Sequence, residues 1–349
     1  LTDFPILLHL SSSSGINGDD VTSIFDEVGS NYKKIAITTS DGTTQCYVEV
    51  EKWDAVNEEA WLWVKVPNIS ATEDTILYIY YDNSQPDNTT YVGDPSETPA
   101  QNVWDSNFVF VSHMRDDPDS SHIRDSTSNA YNGTKKAAGE PAVTAAGQID
   151  DAQNFDGLDD YIDTVDMNEI ELHDATFSFW IKVGNLAADL DILTKGEHTT
   201  ERPLIIWRDE EVGAPADLGA GNTDTISVLT YDGSVQHWVA APSGTLNDID
   251  WHHFAIVIDV TNNQIKIYKD GVLVASNTKT WNGIQGTTTP VRIGDATPSK
   301  YPFNGIIDEV RISNVARSAA WIKAAYETER DNLLTVSYTH LRAHETSLH

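Results

Sequence analysis

Hydrophobic residues alternate with polar ones along most of this chain, and turn-forming dipeptides separate the alternating stretches. Within residues 251–258, for example, Phe254, Ile256 and Ile258 fall on one face. Asp270-Gly271 follows and has the composition of a tight hairpin turn. A period of two residues is typical of strands that bury one face, whereas a helix needs a period of about 3.6 residues. The alternation therefore predicts an all-β protein built from many short strands.

One stretch near the end of the chain departs from this pattern and predicts a helix. Ser318 can cap its first turn, and the alanine-rich residues 319–326 follow. At 349 residues the chain is long enough for two domains. We therefore predict an all-β fold of two β-sandwich domains, the second of which ends in one short C-terminal helix.

The boundary between the two domains is expected where the composition changes. Asn, Asp, Pro, Ser and Thr crowd residues 82–101, and the prolines there argue against regular structure. This change divides the chain into a first domain at residues 1–95, a linker at 96–102 and a second domain at 103–330.

The two ends of the chain look incomplete or foreign. The chain begins inside a strand-like segment, without an initiator methionine or a signal peptide, so the first domain is expected to be truncated. Residues 337–346 resemble a translated sequencing adapter that occurs on unrelated sequences. We therefore treat residues 331–349 as a non-native tail and discount His340, His344 and His349 as metal ligands.

The net charge limits the partners of this chain. With 54 acidic and 22 basic side chains, the formal charge is −32, since 54 − 22 = 32. Such an acidic surface repels nucleic acid phosphates and anionic lipids, so neither is an expected partner. No apolar run in the sequence approaches the ~20 residues of a membrane helix. The single cysteine, Cys46, excludes an internal disulfide and alternates with Val48 and Val50, which predicts a buried small side chain rather than a reactive thiol.

Five stretches in a characteristic order give the second domain a family resemblance. These stretches are 154–162, 177–181, 251–254, 267–271 and 305–312. Through them, residues 103–330 resemble a laminin-G-like domain of the concanavalin A-type jelly-roll family. Through residues 1–5, 61–67 and 79–81, the first domain, residues 1–95, resembles DUF2341, a bacterial domain of unknown function that often precedes such sandwiches.

Asp308 is the carboxylate whose position in the sequence demands a partner. Strict alternation puts it on the face of Ile306, Val310 and Ile312, where an ionised group is costly unless it is paired. The family resemblance implies a structural Ca²⁺ at this aspartate, with Asp125 as the second candidate ligand. The alternatives are backbone amides bonded to Asp308 and a plain Asx turn at Asp125.

Other polar groups do not assemble into a catalytic motif. The acidic run at residues 156–160 lacks the spacing of a calcium-binding loop and predicts a solvated turn. His252 and His253 are adjacent on a strand, so they point to opposite faces and cannot bind one metal together. Glu49 and Glu51 alternate on an ordinary strand, and no glucanase, polysaccharide lyase or nucleophile-elbow pattern is found.

Aromatic side chains offer a better functional signal, because sugar rings stack on flat aromatic faces. Trp281 and Tyr301 lie in polar, turn-like surroundings, and we expect at least one of Trp281, Tyr301 and Trp207 to contact a ligand. Arg208 follows Trp207 at the end of an apolar strand, and Trp238 lies in another polar-flanked segment. Local packing remains the alternative for each of them.

These patterns predict a non-catalytic carbohydrate-binding module of a secreted or surface microbial protein, with a structural Ca²⁺. The negative charge favours a neutral glycan over a polyanionic one. A structural or adhesive ectodomain that contacts protein, and that can precede a membrane proton-channel subunit, is the second possibility. A glycoside hydrolase or polysaccharide lyase is the third, since one fold hosts several functions.

Overall fold

A computed structural model of the chain describes residues 1–196, 203–209, 223–297, 299 and 301–336. Strands dominate these residues and the helices are few and short, so the predicted all-β fold is confirmed. None of the described helices is long and apolar enough to cross a membrane. The tail histidines His340, His344 and His349 lie outside the described residues.

The first domain is formed by a four-stranded and a two-stranded sheet around one apolar core. The larger sheet has the strand order β1-β4-β3-β6, and β2 pairs with β5. The core takes side chains from both sheets, among them Phe4, Ile37 and Leu62, because one face of each strand is apolar. The elements are β1 (Thr2–Leu10), α1 (Ser23–Val28), β2 (Ile35–Thr39), β3 (Val48–Asp54), β4 (Glu59–Asn68), β5 (Leu77–Tyr81) and β6 (Val92–Gly93).

Short regular elements occupy the region that the sequence predicted to be irregular. The two-residue strand β6 pairs in parallel with β3. A four-residue helix, α2 (Thr98–Gln101), follows. Pro99 stands in its first turn, where a missing backbone N–H breaks no helical hydrogen bond. Proline is therefore compatible with regular structure here, because a helix of four residues has little beyond its first turn.

The second domain consists of two packed eight-stranded sheets. We call the sheet with the order β10-β11-β22-β13-β18-β19-β20, together with β7, the back sheet. The front sheet has the order β17-β16-β15-β14-β21-β12-β9-β8. The strands are β7 (Phe108–Ser112), β8 (His122–Ile123), β9 (Gly133–Lys135), β10 (Ala142–Thr144), β11 (Ala152–Asp156), β12 (Ile162–Asp163), β13 (Ala175–Val183), β14 (Leu190–Lys195), β15 (Leu204–Asp209), β16 (Thr225–Tyr231), β17 (Gln236–Ala240), β18 (His252–Asp259), β19 (Gln264–Lys269), β20 (Val272–Thr278), β21 (Val291–Ile293) and β22 (Asn304–Ser313).

One large apolar core fills the space between the two sheets. Phe254, Ile256 and Ile258 from the back sheet belong to it, which confirms the face that the alternation predicted. Ile206 and Val228 contribute from the front sheet. Full burial of such side chains stabilises the sandwich by about 1.5–3 kcal/mol each.

The C-terminal helix α3 (Ala319–Thr328) and the first domain cover the outer face of the back sheet. Ser318 Oγ accepts a hydrogen bond from the backbone N–H of Trp321, so the predicted cap is confirmed. The Trp321 ring packs edge-on against Phe4 of β1 at 4.7 Å between centroids. A third apolar cluster lies between the domains and contains Leu7, Trp63, Val103, Trp104, Phe108, Val111 and Ile149.

The beginning of the predicted tail also packs on the first domain. Leu333, Leu334 and Val336 lie against its apolar core. The backbone N–H of Ile16 donates to the carbonyl oxygen of Leu334 at 2.8 Å. Residues 331–336 therefore contribute contacts, and the remainder of the tail lies outside the described residues.

Candidate functional site

Two rows of side chains cross the outer face of the front sheet. In the first row, strand pairing places Trp207 opposite Asp191 on one side and Ser227 on the other. In the second row, Leu229 stands opposite Ile205 and Trp238. The neighbouring residues in these strands, such as Ile206 and Val228, point into the sandwich core. The alternation of the strands thus places two tryptophans on one surface.

The two tryptophans on this surface differ in their exposure. Trp207 is 5% exposed and packs with Ile205 and Leu229, while the partly buried Trp238 packs against this group. A ligand that approaches the front sheet therefore meets Trp238 first. Trp207 was one of three residues of which the sequence predicted at least one ligand contact, and the structure leaves it less exposed than Trp238.

Three further residues, Tyr301, Asp191 and Asp295, lie at the border of the same surface. The carbonyl oxygen of Tyr301 accepts a hydrogen bond from Asp191 N at 2.7 Å, which fixes Tyr301 beside β14. The Asp295 carbonyl oxygen accepts from Thr194 Oγ1 at 2.8 Å. Both carboxylate oxygens of Asp295 are buried and find no hydrogen-bond partner within the described part of the chain. A buried unpaired carboxylate is costly, so this position is open to a donor.

A planar polar array continues the surface along the front sheet. Arg292 on β21 forms a two-pronged ion pair with Asp163, at 2.7 and 2.8 Å. The same guanidinium stacks on the Tyr161 ring at 3.8 Å from its centroid. Paired planar groups of this kind can donate to and accept from sugar hydroxyls.

Two of the residues predicted to bind ligand are buried away from this surface. Trp281 is 3% exposed, belongs to the sandwich core and packs edge-on against His237 at 4.3 Å. Arg208 is fully buried, and its guanidinium donates to the carbonyl oxygens of Leu186 and Ala188 and pairs with Asp224. The surroundings of Trp281 and Arg208 thus agree with local packing, which was the alternative to ligand binding for both residues.

Asp125 is surrounded by hydrogen-bond donors of its own turn. Its Oδ1 accepts from Val111 N and Thr127 N at 3.0 and 2.9 Å. Its Oδ2 accepts from Thr127 Oγ1 and Tyr131 N, both at 2.8 Å. Burial nevertheless outweighs these bonds and raises the pKa of Asp125 to about 6. All four acceptor positions are in use, so this residue forms the predicted alternative, an Asx turn, and fits a metal poorly.

Asp308 lies on the opposite face from the one that strict alternation predicted. The register of β22 against β13 shifts between Ser178 and Trp180, and Glu309 has a positive φ of 50°. Such a bulge inserts one residue, so Val310 and Ile312 point into the sandwich core together with Ile307 rather than with Asp308. The prediction for the face of Asp308 is therefore wrong.

The carboxylate of Asp308 is fully buried beside the first domain. Its Oδ1 accepts from Glu309 N at 2.8 Å and its Oδ2 from Ile149 N at 3.0 Å. Burial, and then the neighbouring Glu309, raise the pKa of Asp308 well above its usual range. A Cβ on Gly147 would lie within 3 Å of Asp308 Oδ2, at 2.9 Å, and of the carbonyl oxygens of Ile149 and Asp150, at 2.9 and 2.7 Å. Three oxygens thus converge on this glycine, and this donor type fits a hard cation.

A cluster of ionisable side chains lies at the junction of the two domains, next to Asp308. Glu49 and Glu51 come from β3 of the first domain, His113 follows β7, and Glu309 and Arg311 come from β22. His113 Nδ1 lies 2.9 Å from Glu309 Oε1 and 3.3 Å from Glu51 Oε2. The alternation of their strand predicts an ordinary exposed face for Glu49 and Glu51, because nothing in the local pattern shows that another domain covers that face.

The electrostatics of this cluster are set by burial and by mutual pairing. Burial alone would lower the pKa of His113, but the carboxylates of Glu51, Glu309 and Glu49 outweigh it and hold that pKa well above its usual value. Burial raises the pKa of Glu51 to about 8, although His113 opposes this rise. Burial would also raise the pKa of Glu309, yet His113 and Arg311 together hold it below its usual value.

The acidic turn at Asp156, Asp159 and Asp160 is a second group, among the described residues, whose carboxylates lie close together. Asp160 Oδ2 accepts from Asp156 N at 2.9 Å, and Asp156 Oδ1 accepts from Leu158 N at 2.8 Å. Two of the three aspartates are exposed, which agrees with the predicted solvated turn.

Two family models match the chain in the predicted order. Residues 154–323 match the concanavalin A-like lectin/glucanases superfamily. Residues 31–121 match a domain of unknown function, DUF2341. Both resemblances are therefore confirmed, since one segment of the chain matches the concanavalin A-like model and an earlier segment matches the DUF2341 model. No curated protein sequence matches the chain.

Several solved structures share the fold at low identity. Domain 4 of AbnA, an extracellular GH43 arabinanase from Geobacillus stearothermophilus solved with arabinotriose, is 21% identical, with 61% of this chain and 96% of that chain covered and a TM-score of 0.46. The binding domain of Paraclostridial Mosquitocidal Protein 1 is 15% identical, with 64% and 52% covered and a TM-score of 0.48. The botulinum neurotoxin serotype D binding domain is 15% identical, with 63% and 51% covered and a TM-score of 0.45. The chain spans about half the length of these two toxin domains.

Proposed function

We propose that this chain, with its concanavalin A-like domain behind a DUF2341 domain, is a non-catalytic carbohydrate-binding protein that acts outside the cell. The observation that carries the proposal is the partly exposed Trp238, which packs against the cluster of Ile205, Trp207 and Leu229 on the outer face of the front sheet. Aromatic faces next to polar groups are the usual platform for sugar rings. Loops and strand ends that border such a sheet then supply the hydrogen bonds that choose the sugar.

The charge of the same surface supports a neutral glycan as the ligand. Asp191 shares the first row with Trp207, and Asp209 lies on the same strand as Trp207, two residues further on. The whole chain carries a formal charge of −32. Negative charge of this kind repels an anionic polysaccharide, whereas a neutral sugar is not repelled. Binding should therefore change little with salt concentration.

The Trp238→Ala variant tests this proposal on a glycan array and by calorimetric titration of the best glycan. We expect the wild-type chain to bind and the variant to lose about two- to tenfold in affinity, since an aromatic stacking contact contributes about 0.5–1.5 kcal/mol. Tyr80→Ala is the matched control, because Tyr80 is a 40% exposed aromatic residue of the first domain.

Two results would contradict the proposal. One is a correctly folded chain that binds no glycan on the array. The other is an equal loss of affinity in Trp238→Ala and Tyr80→Ala, which would place the ligand elsewhere. Release of reducing sugars from a polysaccharide panel would instead favour the enzyme alternative, and retention of a protein ligand without any glycan would favour the adhesive one.

We also propose a structural Ca²⁺ at Asp308, supported by the three oxygens that converge near Gly147. Calcium takes oxygen ligands from carboxylates and backbone carbonyls, and its chemistry here would be purely structural. Elemental analysis of the chain and its Asp308→Asn variant tests this idea. Calcium at about one ion per chain that disappears in the variant supports it, and a calcium-free wild-type chain overturns it.

A further inference from the structure

The junction between the two domains buries more negative than positive side chains. Glu49 and Glu309 are fully buried, and Glu51 and His113 are nearly so. Arg311 is shared between Glu309 and Glu329, so it neutralises part of this charge only. Burial of carboxylates without enough counter-charge is costly, and proteins resolve it by binding protons or cations. The buried carboxylates at this junction are Glu49, Glu51, Asp308, Glu309 and Glu329.

The imidazole of His113 has the spacing of a metal ligand to two of these carboxylates. Its Nδ1 lies 2.9 Å from Glu309 Oε1, in a hydrogen bond that a bound cation would replace, and 3.3 Å from Glu51 Oε2. The three ligand atoms all lie within 4.8 Å of one another. In a tetrahedral site with metal–ligand distances of about 2.0–2.1 Å, neighbouring ligand atoms are separated by about 3.3 Å. A cation placed among these atoms would need only small shifts of the side chains.

The groups behind these ligands have the arrangement of a supporting shell. His113 Nε2 lies 3.5 Å from Glu49 Oε2 without a hydrogen bond between them. Arg311 donates to Glu309 Oε2, and Trp63 Nε1 donates to Glu51 Oε2 at 2.7 Å. Both carboxylates are thus held in place by a neighbour, as is usual behind metal ligands.

Unsatisfied atoms on neighbouring positions show that the hydrogen bonding of this cluster is incomplete, and one of them, Glu51 Oε1, belongs to a proposed ligand residue. Glu49 Oε1, Glu51 Oε1 and His113 Nε2 are buried and have no hydrogen-bond partner among the residues that the structure describes. A buried carboxylate oxygen without a donor costs about 1–3 kcal/mol or more. Three such atoms in one cluster are unusual unless something else occupies the space between them.

We propose that Glu51, His113 and Glu309 bind one divalent transition-metal ion of the Zn²⁺ class at the junction of the two domains. One imidazole nitrogen with two carboxylate oxygens suits Zn²⁺, whereas Ca²⁺ prefers six to eight oxygens. The ligands come from β3, from the segment after β7 and from β22, so the ion joins the first domain to the back sheet. Full burial makes the site a structural one that loads as the two domains come together.

Elemental analysis of the full-length chain, purified without chelator and then reconstituted with Zn²⁺, tests the proposal. We expect about one tightly held Zn²⁺ per chain and a rise in the melting temperature over the metal-free chain. Substitution with Co²⁺ adds a readout that does not depend on stability, because four-coordinate Co²⁺ has intense visible absorption bands that six-coordinate Co²⁺ lacks.

Two variants and one control locate the ion. Glu51→Gln and His113→Gln each remove one ligand while keeping a similar volume, and we expect both to lose the Zn²⁺ and the Co²⁺ bands. Asp159→Asn is the matched control, since it alters the exposed acidic turn, the other close group of carboxylates. Circular dichroism shows which variants fold, and only folded ones are compared.

The proposal is overturned if the folded wild-type chain binds neither Zn²⁺ nor Co²⁺ after reconstitution, because the cluster would then be balanced by protons alone. It is also overturned if Asp159→Asn abolishes binding while the folded junction variants retain it. Calcium as the sole bound metal, insensitive to Glu51→Gln, would assign the cation to Asp308 instead.

Discussion

At the scale of single residues, burial at the junction decides how ionisable side chains behave. His253 is an example on the outer face of the back sheet, where it contacts Trp180 and Tyr326. Burial, and then the positive charge of Arg311, lower the pKa of His253 to about 3. The folded protein therefore keeps this imidazole neutral under conditions in which an unfolded chain would protonate it.

This difference predicts an acid-sensitive contribution to stability. Below pH 6.5, the ordinary pKa of histidine, the unfolded chain binds a proton at the His253 imidazole. The folded chain does not bind this proton until the pH approaches 3. The free energy of unfolding therefore falls as the pH decreases through this window, by about 2 kcal/mol between pH 6.5 and about 4.5. Urea unfolding at both pH values should show a smaller loss for His253→Gln than for the wild type. The exposed His122 offers the control His122→Gln, and equal losses in all three proteins would argue against this assignment.

Residue faces could be predicted from the sequence only where the strands are regular. Phe254, Ile256 and Ile258 follow an unbroken alternation and point where it predicts. Asp308 does not, because one bulge at Glu309 moves the following residues to the other face, and a bulge leaves little trace in the residue pattern. The pairing of Glu51 with His113 depends on contacts between distant segments, which no local pattern contains.

At the scale of elements, helix α3 links the end of the chain to its beginning. Thr328 Oγ1 accepts from Leu7 N at 2.8 Å and donates to the Leu7 carbonyl oxygen at 3.3 Å. Glu329, just past the helix, accepts from Trp180 Nε1 at 2.6 Å. One short helix thus holds a strand of the first domain and a strand of the back sheet.

The Thr328→Val variant tests this link with little change in side-chain shape. It removes both hydrogen bonds and leaves the buried N–H of Leu7 without a partner, so we expect a loss of about 1–3 kcal/mol in the free energy of unfolding. Thr72→Val, at an exposed threonine of the first domain, is the control and should change stability little. A Thr328→Val protein as stable as the wild type in urea unfolding would show that the link contributes nothing.

Long elements were predictable and short ones were not. The cap at Ser318 and the alanine-rich turns of α3 have a clear helical signature, and the structure agrees. Strand β6 has two residues and helix α2 has four, too few for any period to appear. Their conformation is set by the strands and core beside them rather than by their own residues.

At the scale of the whole molecule, the two domains share a polar junction that couples their stabilities. Arg311 pairs with Glu309 and Glu329 and lies over the Trp63 ring of the first domain at 4.3 Å. Trp104 Nε1 donates to Glu49 Oε2 at 2.7 Å across the same boundary. Separation of the domains would expose these groups without replacing their partners, so we expect the two domains to unfold together.

Differential scanning calorimetry should therefore show one transition, with equal calorimetric and van't Hoff enthalpies. Arg311→Gln leaves two buried glutamates without their cation, and we expect a loss of about 3–5 kcal/mol. Arg330→Gln is the control, since its side chain is 43% exposed. Two separate transitions in the wild-type chain would contradict the coupling of the domains.

The hydrogen bonds between Leu7 and Thr328 join residues that are 321 positions apart in the sequence. During synthesis, strand β1 leaves the ribosome long before helix α3 is made. Phe4 and Leu7 therefore lack their contacts with that helix until the end of the chain has been synthesised. Their apolar surface is exposed until the whole sandwich has emerged, and such a delay is the period in which a nascent chain is most prone to aggregate. The hydrogen bonds that stabilise the folded molecule thus make the burial of strand β1 depend on the formation of helix α3.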